Sequence, residues 1–147
     1  MCRAVEAENP DYVIHLGDGQ RDVDKLREGY PQLPIAQVRG NCDYGADLLP
    51  DRLVNEYGGV RMLLCHGHQY RVKYGPMSVS YAARECGAKI ALFGHTHQPL
   101  VEQLDEMWLM NPGSCGYGIR PTCGIIEVSG GRFTCQVKSI EERKQEL

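Results

Sequence analysis

Four short apolar runs, each breaking off into a polar cluster, constrain this chain more than any other feature. Residues 12–16 (YVIHL) run into Gly17-Asp18, and residues 35–38 run toward Gly40-Asn41-Cys42-Asp43. Residues 60–65 (VRMLLC) end at His66-Gly67-His68, and residues 89–93 (KIALF) at Gly94-His95-Thr96-His97. Runs of this length and composition read as strands. In open α/β sheets the loops at the carboxyl ends of strands converge, and sites form there. Four of the five histidines stand in two His-x-His pairs at these ends, a distribution that packing alone does not explain.

The intervening segments supply helix signals. Residues 2–8 read as the end of a helix stopped by Asn9-Pro10, and residues 22–28 as a short helix with Gly29 beyond it. Residues 78–85 form a third, stopped by Gly87. Beyond residue 97 the pattern changes to hairpins, 100–103 with 107–110 and 124–128 with 133–139, the second turning at Ser129-Gly130-Gly131. The charged run 141–147 reads as a frayed, solvated end. With no repeat or linker, residues 1–147 read as one domain, an α/β (α+β) sandwich.

Composition removes several function classes. No apolar run approaches the roughly 20 residues needed to cross a bilayer, and the first residues carry no signal-peptide stretch. A net charge of −3 argues against a broad nucleic-acid-binding face. Seven cysteines, an odd number without a CxxC pair, suggest neither a disulfide framework nor a thiolate zinc site. Scattered thiols point to a reducing cytoplasm.

The strand ends offer one carboxylate (Asp18), one amide oxygen (Asn41) and imidazoles at His66, His95 and His97. That mixture suits Mn²⁺, Fe²⁺, Zn²⁺, Co²⁺ or Ni²⁺. His68 reads equally as a phosphate contact or a loop-orienting group. His15, inside a strand, is expected to be buried and hydrogen-bonded, and Asp43 to hold the asparagine loop. Cys42 and Cys65 are expected as small packing residues, and residues 111–114 as a turn lining the site.

The ordered clusters, followed by Asn111-Pro112-Gly113-Ser114, resemble the calcineurin-like metallophosphoesterase superfamily, and within it the small YfcE-type phosphodiesterases. The resemblance spans essentially the whole chain. It implies a four-layer fold of two mixed sheets flanked by helices. It also implies hydrolysis of phosphodiesters, less readily phosphomonoesters, by two divalent metals about 3.5–4 Å apart. Carried onto this sequence, Asp18 bridges both metals, Asn41, His66 and His95 complete the second, and His97 serves the first. Asp18 and His68 are then the catalytic candidates.

The family takes two further ligands from an Asp-x-His motif ending its first strand, and no such motif precedes Asp18. The expectation is therefore a chain without that strand and with an impaired first metal site. Because that strand lies inside the family's sheet, residues 12–16 are expected to move against another strand, or a second copy to fill the gap, which makes a homo-oligomer possible. Cys42 stands where larger relatives carry a histidine, and a thiol with a pKa near 8.5 is a poor general acid. The alternative reading is a non-catalytic interaction module on the same fold, as in the retromer small subunit of the superfamily. A metallo-β-lactamase-type hydrolase is excluded by the lack of a His-x-His-x-Asp-His run.

Overall fold

The computed structural model describes residues 1–140; the charged run expected to fray lies outside the described residues. The order is α1 (Cys2–Glu8), β1 (Val13–His15), α2 (Gln20–Gly29), β2 (Ile35–Gln37), β3 (Arg52–Tyr57) and β4 (Val60–Cys65). Two short 3-10 turns follow, then α3 (Met77–Glu85), β5 (Ile90–Leu92), β6 (Leu100–Leu104), β7 (Met107–Asn111), β8 (Thr122–Ser129) and β9 (Arg132–Ser139).

The apolar run VRMLLC becomes β4, paired on both edges, and five of its six side chains are buried because a core covers each face. It lies antiparallel to β3 and parallel to β5, within a five-stranded mixed sheet ordered β3-β4-β5-β7-β6. A helix-facing core of Leu63, Cys65, Val79, Ala83, Ala91 and Leu109 joins this sheet to α3. The opposite face, with Met62, Leu64 and Ile90, packs a second core against side chains from the remaining strands.

Those strands form two separate pairs. β1 and β2 run parallel, joined by a crossover that contains α2. β8 and β9 form an antiparallel hairpin. No ladder joins the two pairs among the described residues, so the expected two mixed sheets are one five-stranded mixed sheet and two ribbons. Apolar packing ties each ribbon to the second core, through Ile14 and Ala36 from one and Ile126, Phe133 and Val137 from the other. Among the described residues β1 pairs only with β2, so residues 12–16 have not moved against a further strand there. Helix α1 is clamped to β9, where Lys138 Nζ donates to Glu8 at 2.8 Å.

One strand was not foreseen. β3 (RLVNEY) alternates exposed and half-buried residues on a sheet edge, so it presents no continuous apolar run. Its signal is the Gly58-Gly59 pair leading into β4, both at positive φ, which is the chemistry of a two-residue hairpin turn.

Candidate metal centre

The carboxyl ends of β1, β2, β4 and β5 bring their polar clusters together, and Asp43 organises the first two. Its carboxylate accepts the backbone N–H groups of Asp18 (2.8 Å), Gly19 (3.0 Å), Gln20 (3.3 Å) and Gly40 (2.8 Å). Burial pushes this carboxyl up, but the four N–H donors outweigh it and hold it below the usual carboxylate range. Asp43 thus holds the asparagine loop and the Gly-Asp loop at once. The two loops approach so closely that a Cβ on Gly17 would sit 2.6 Å from Gly40 N and 2.8 Å from His66 Nδ1. A Cβ on Gly40 would run into the Asp18 carboxylate.

His66, buried at the end of β4, supplies the electronic argument. Its Nδ1 lies 2.7 Å from the carbonyl oxygen of Leu16. A carbonyl only accepts, so in the neutral ring Nδ1 carries the hydrogen and Nε2 presents a lone pair. Around Nε2 stand Asn41 Oδ1 at 2.9 Å, His95 Nδ1 at 3.1 Å and Asp18 Oδ2 at 3.3 Å. Asn41 turns its amide nitrogen to the Cys42 sulfur at 3.5 Å, and the Cys42 N–H engages the other Asp18 oxygen at 2.7 Å. The His66 Nε2 lone pair, Asn41 Oδ1 and the Asp18 carboxylate, all acceptors, therefore face one another, an arrangement that a cation relieves. Adjacent donors around an ion at about 2.1 Å stand about 3.0 Å apart in an octahedron and about 3.4 Å apart in a tetrahedron. The three distances from His66 Nε2 fall in that range, and the mixed oxygen and imidazole chemistry of the four side chains suits a divalent metal. Among the described residues no three His, Cys, Asp or Glu side chains already surround a common point as a ready-made site. The convergence instead centres on His66 and includes the Asn41 amide.

Backbone strain accompanies these donors. Asp18 (φ 60°), His95 (φ 66°) and His97 (φ 58°) are left-handed, half of the six described non-glycine residues at positive φ. Such concentration is a mark of functional loops.

The other singled-out residues divide by position. His68 joins the cluster, its ring centroid 5.4 Å from that of His66 and 6.0 Å from that of His95. Its Nδ1 is buried without a hydrogen-bond partner. Burial, then the His66 charge, lowers its pKa, which works against proton donation and favours a neutral contact group. The His95 pKa is lowered by the same two causes. His97 packs instead on Tyr117, the rings stacked at 5.1 Å and 18°. His15 sits beneath the loop, its Nδ1 accepting the Gly17 N–H at 3.3 Å. Burial lowers its pKa.

Cys65 is buried and its thiol pushed up to about 12, as befits a packing residue. Cys42 corrects the same expectation: it is exposed, because the loop turns its side chain outward at the mouth. Asn111 proves more than a lining turn. Its amide nitrogen donates to Gly94 O and Thr96 Oγ1, each at 3.0 Å, while its oxygen accepts the Gly113 N–H at 2.9 Å. It staples the loop after β7 to the loop after β5. Tyr117 and Lys73, both at the rim, carried no sequence signal.

A profile described as the calcineurin-like phosphoesterase superfamily domain matches residues 1–131. The probable metallophosphoesterase YsnB of Bacillus subtilis (strain 168) is 38% identical over 105 residues, covering 71% of this chain and 59% of its own length. The phosphodiesterase YfcE of Escherichia coli (strain K12) is 31% identical over 125 residues, covering 70% of this chain and 63% of its own. The chain thus spans less than two thirds of either relative. Among solved structures, a predicted phosphoesterase of Streptococcus pneumoniae TIGR4 superposes with a TM-score of 0.75 at 29% identity. That match covers 95% of this chain and 79% of the other.

Proposed function

Because the chain belongs to the calcineurin-like phosphoesterase superfamily, we propose that it is a metal-dependent hydrolase of phosphodiesters. The observation that carries this reading is the convergence of Asn41 Oδ1, His95 Nδ1 and Asp18 Oδ2 on the bare Nε2 of His66. Asp18, Asn41, His66 and His95 would hold one divalent ion, and His97 would serve the neighbouring position. The mixed oxygen and imidazole donors suit Mn²⁺, Ni²⁺, Fe²⁺, Co²⁺ or Zn²⁺. When bound, such ions supply positive charge to phosphoryl oxygens and acidify a water molecule.

The rest is performed by the chain. The Leu16 carbonyl fixes the His66 tautomer, and Asp43 holds two donor loops in register before substrate arrives. His68 lies against the donor trio as a neutral group able to contact a phosphoryl oxygen. The Asp18 charge beside it raises the Cys42 thiol, so a proton donor beside Asn41 is lacking and esters with good leaving groups are favoured. No described helix is long and apolar enough to cross a membrane, and the scattered thiols support a cytoplasmic location.

The test is hydrolysis of bis(4-nitrophenyl) phosphate and of 4-nitrophenyl phosphate with added Mn²⁺, with chelator, and with Asp18→Asn. Metal-dependent turnover of the diester, abolished by chelator and by the variant, is the expected result. No turnover of either ester with any of the five metals would leave the interaction-module reading in its place.

A further inference from the structure

The rim of the centre is unusually apolar for a polar site. Among the described residues, five large apolar side chains are more than 70% exposed: Tyr44 (90%), Leu48 (101%), Tyr74 (92%), Tyr117 (73%) and Ile119 (99%). All five lie on loops that follow the carboxyl ends of β2, β4 and β7, the edges around which the candidate donors gather. Exposed apolar side chains on the loops at such strand ends are candidates for recognition. Lys73, in the turn that follows β4, adds a positive charge to one of these loops.

Tyr117 is held by its own loop and by a ring contact. The Ser114 hydroxyl accepts the N–H groups of Gly116 (3.3 Å) and Tyr117 (3.0 Å). Asn111 ties the start of the same loop to Gly94 and Thr96. One ring face lies flat on His97, and the high exposure leaves the other face open to solvent. A planar ring laid on that open face would extend the stack that begins at His97, with its phosphate toward the candidate donors.

We propose that Tyr117 is a specificity-determining residue whose open face receives a planar aromatic group attached to the phosphate, as in a nucleotide or an aryl phosphodiester. This rests on the phosphoesterase reading and adds the substrate class. An aromatic ring on the substrate matches an aromatic ledge, and its phosphate matches the candidate metal donors. Base-to-aromatic stacking tolerates any base, because every base has a π face.

The experiment compares adenosine monophosphate with methyl phosphate as competitive inhibitors of diester hydrolysis by wild type, Tyr117→Ala and Tyr117→Phe. Adenosine monophosphate should bind wild type more tightly, and Tyr117→Ala should weaken it roughly 5- to 150-fold, the range of one base stack. Tyr117→Phe should keep the preference, and methyl phosphate should bind all three alike. Equal weakening of both inhibitors, or a preference that survives Tyr117→Ala, overturns the proposal. So does a change of oligomeric state in Tyr117→Ala by light scattering, which would make the rim a contact between copies. If no hydrolysis is found, the phosphoesterase reading fails by itself. Calorimetric titration with the two ligands then decides the ledge, equal affinities for wild type overturning it and a Tyr117-dependent preference supporting it.

Discussion

The Nδ1–H of His66 reaches the carbonyl oxygen of Leu16 across 2.7 Å, tying the end of β4 to the end of β1, strands of different sheets. Removing that donor leaves a buried carbonyl unpaired, which costs about 1–3 kcal/mol. His66→Ala should therefore lower the stability of the metal-free protein by that amount and also abolish its thermal stabilisation by Mn²⁺. Urea unfolding and thermal melts with and without metal check both effects. An unchanged response to Mn²⁺ would remove His66 from the donor set.

Asp18 stands in the same cluster, with one oxygen held by the Cys42 N–H and the other facing His66. Loss of groups that only orient a metal ligand costs about 10- to 100-fold, so loss of a donor itself should exceed this. Asp18→Asn should reduce kcat/KM on bis(4-nitrophenyl) phosphate by more than about 100-fold. Retention of a tenth of the activity or more, read from initial rates, would contradict its place at the centre.

Asp43 links pH to folding. Its folded carboxyl lies below the ordinary value of 3.8, so its stabilisation is complete above that value and fades as pH falls through the folded pKa. Asp43→Asn should be less stable than wild type by about 2–4 kcal/mol at pH 7, because four backbone donors lose a charged acceptor. The difference should narrow below about pH 4. Denaturant titrations at both pH values provide the check, and a gap of constant size would show that the charge is not what matters.

Asn111 is 1% exposed and makes three hydrogen bonds that no other residue type reproduces together. Asn111→Ala should cost about 2–4 kcal/mol and lower diester hydrolysis by uncoupling the loops that carry His97 and Tyr117. Asn111→Asp should not rescue either property, since a carboxylate cannot donate to Gly94 O and Thr96 Oγ1. Full activity in Asn111→Asp would show that the staple is dispensable.

The candidate donors were legible in the sequence because each follows an apolar run and carries chemistry in its side chain. Asp18, Asn41, His66 and His95 meet at hydrogen-bonding distance as that order suggested. The strands bearing them were legible for the same reason, and both hairpins followed from alternation and turn residues. β3 was missed because an edge strand needs only one half-buried face. The division of the second layer into two ribbons was missed because pairing between distant segments is a tertiary property. The outward Cys42 shows how a loop overrides residue type, since cysteine is ordinarily among the most buried residues. Tyr117 was invisible because its meaning lies in what it stacks against.

The pairing pattern also assigns different lifetimes to the two halves of the centre. His66 and His95 follow strands within the five-stranded slab, whose inner members are hydrogen-bonded on both edges. Asp18 and Asn41 follow a parallel pair whose ladder spans three residues on each strand. Amide protons of β1 and β2 should therefore exchange with solvent well before those of β4 and β5, through local openings that leave the slab intact. Each such opening would carry an oxygen donor away from the imidazoles. An ion held between them would act as a rivet across that seam, slowing exchange in β1 and β2 while leaving the already slow core of the slab almost untouched.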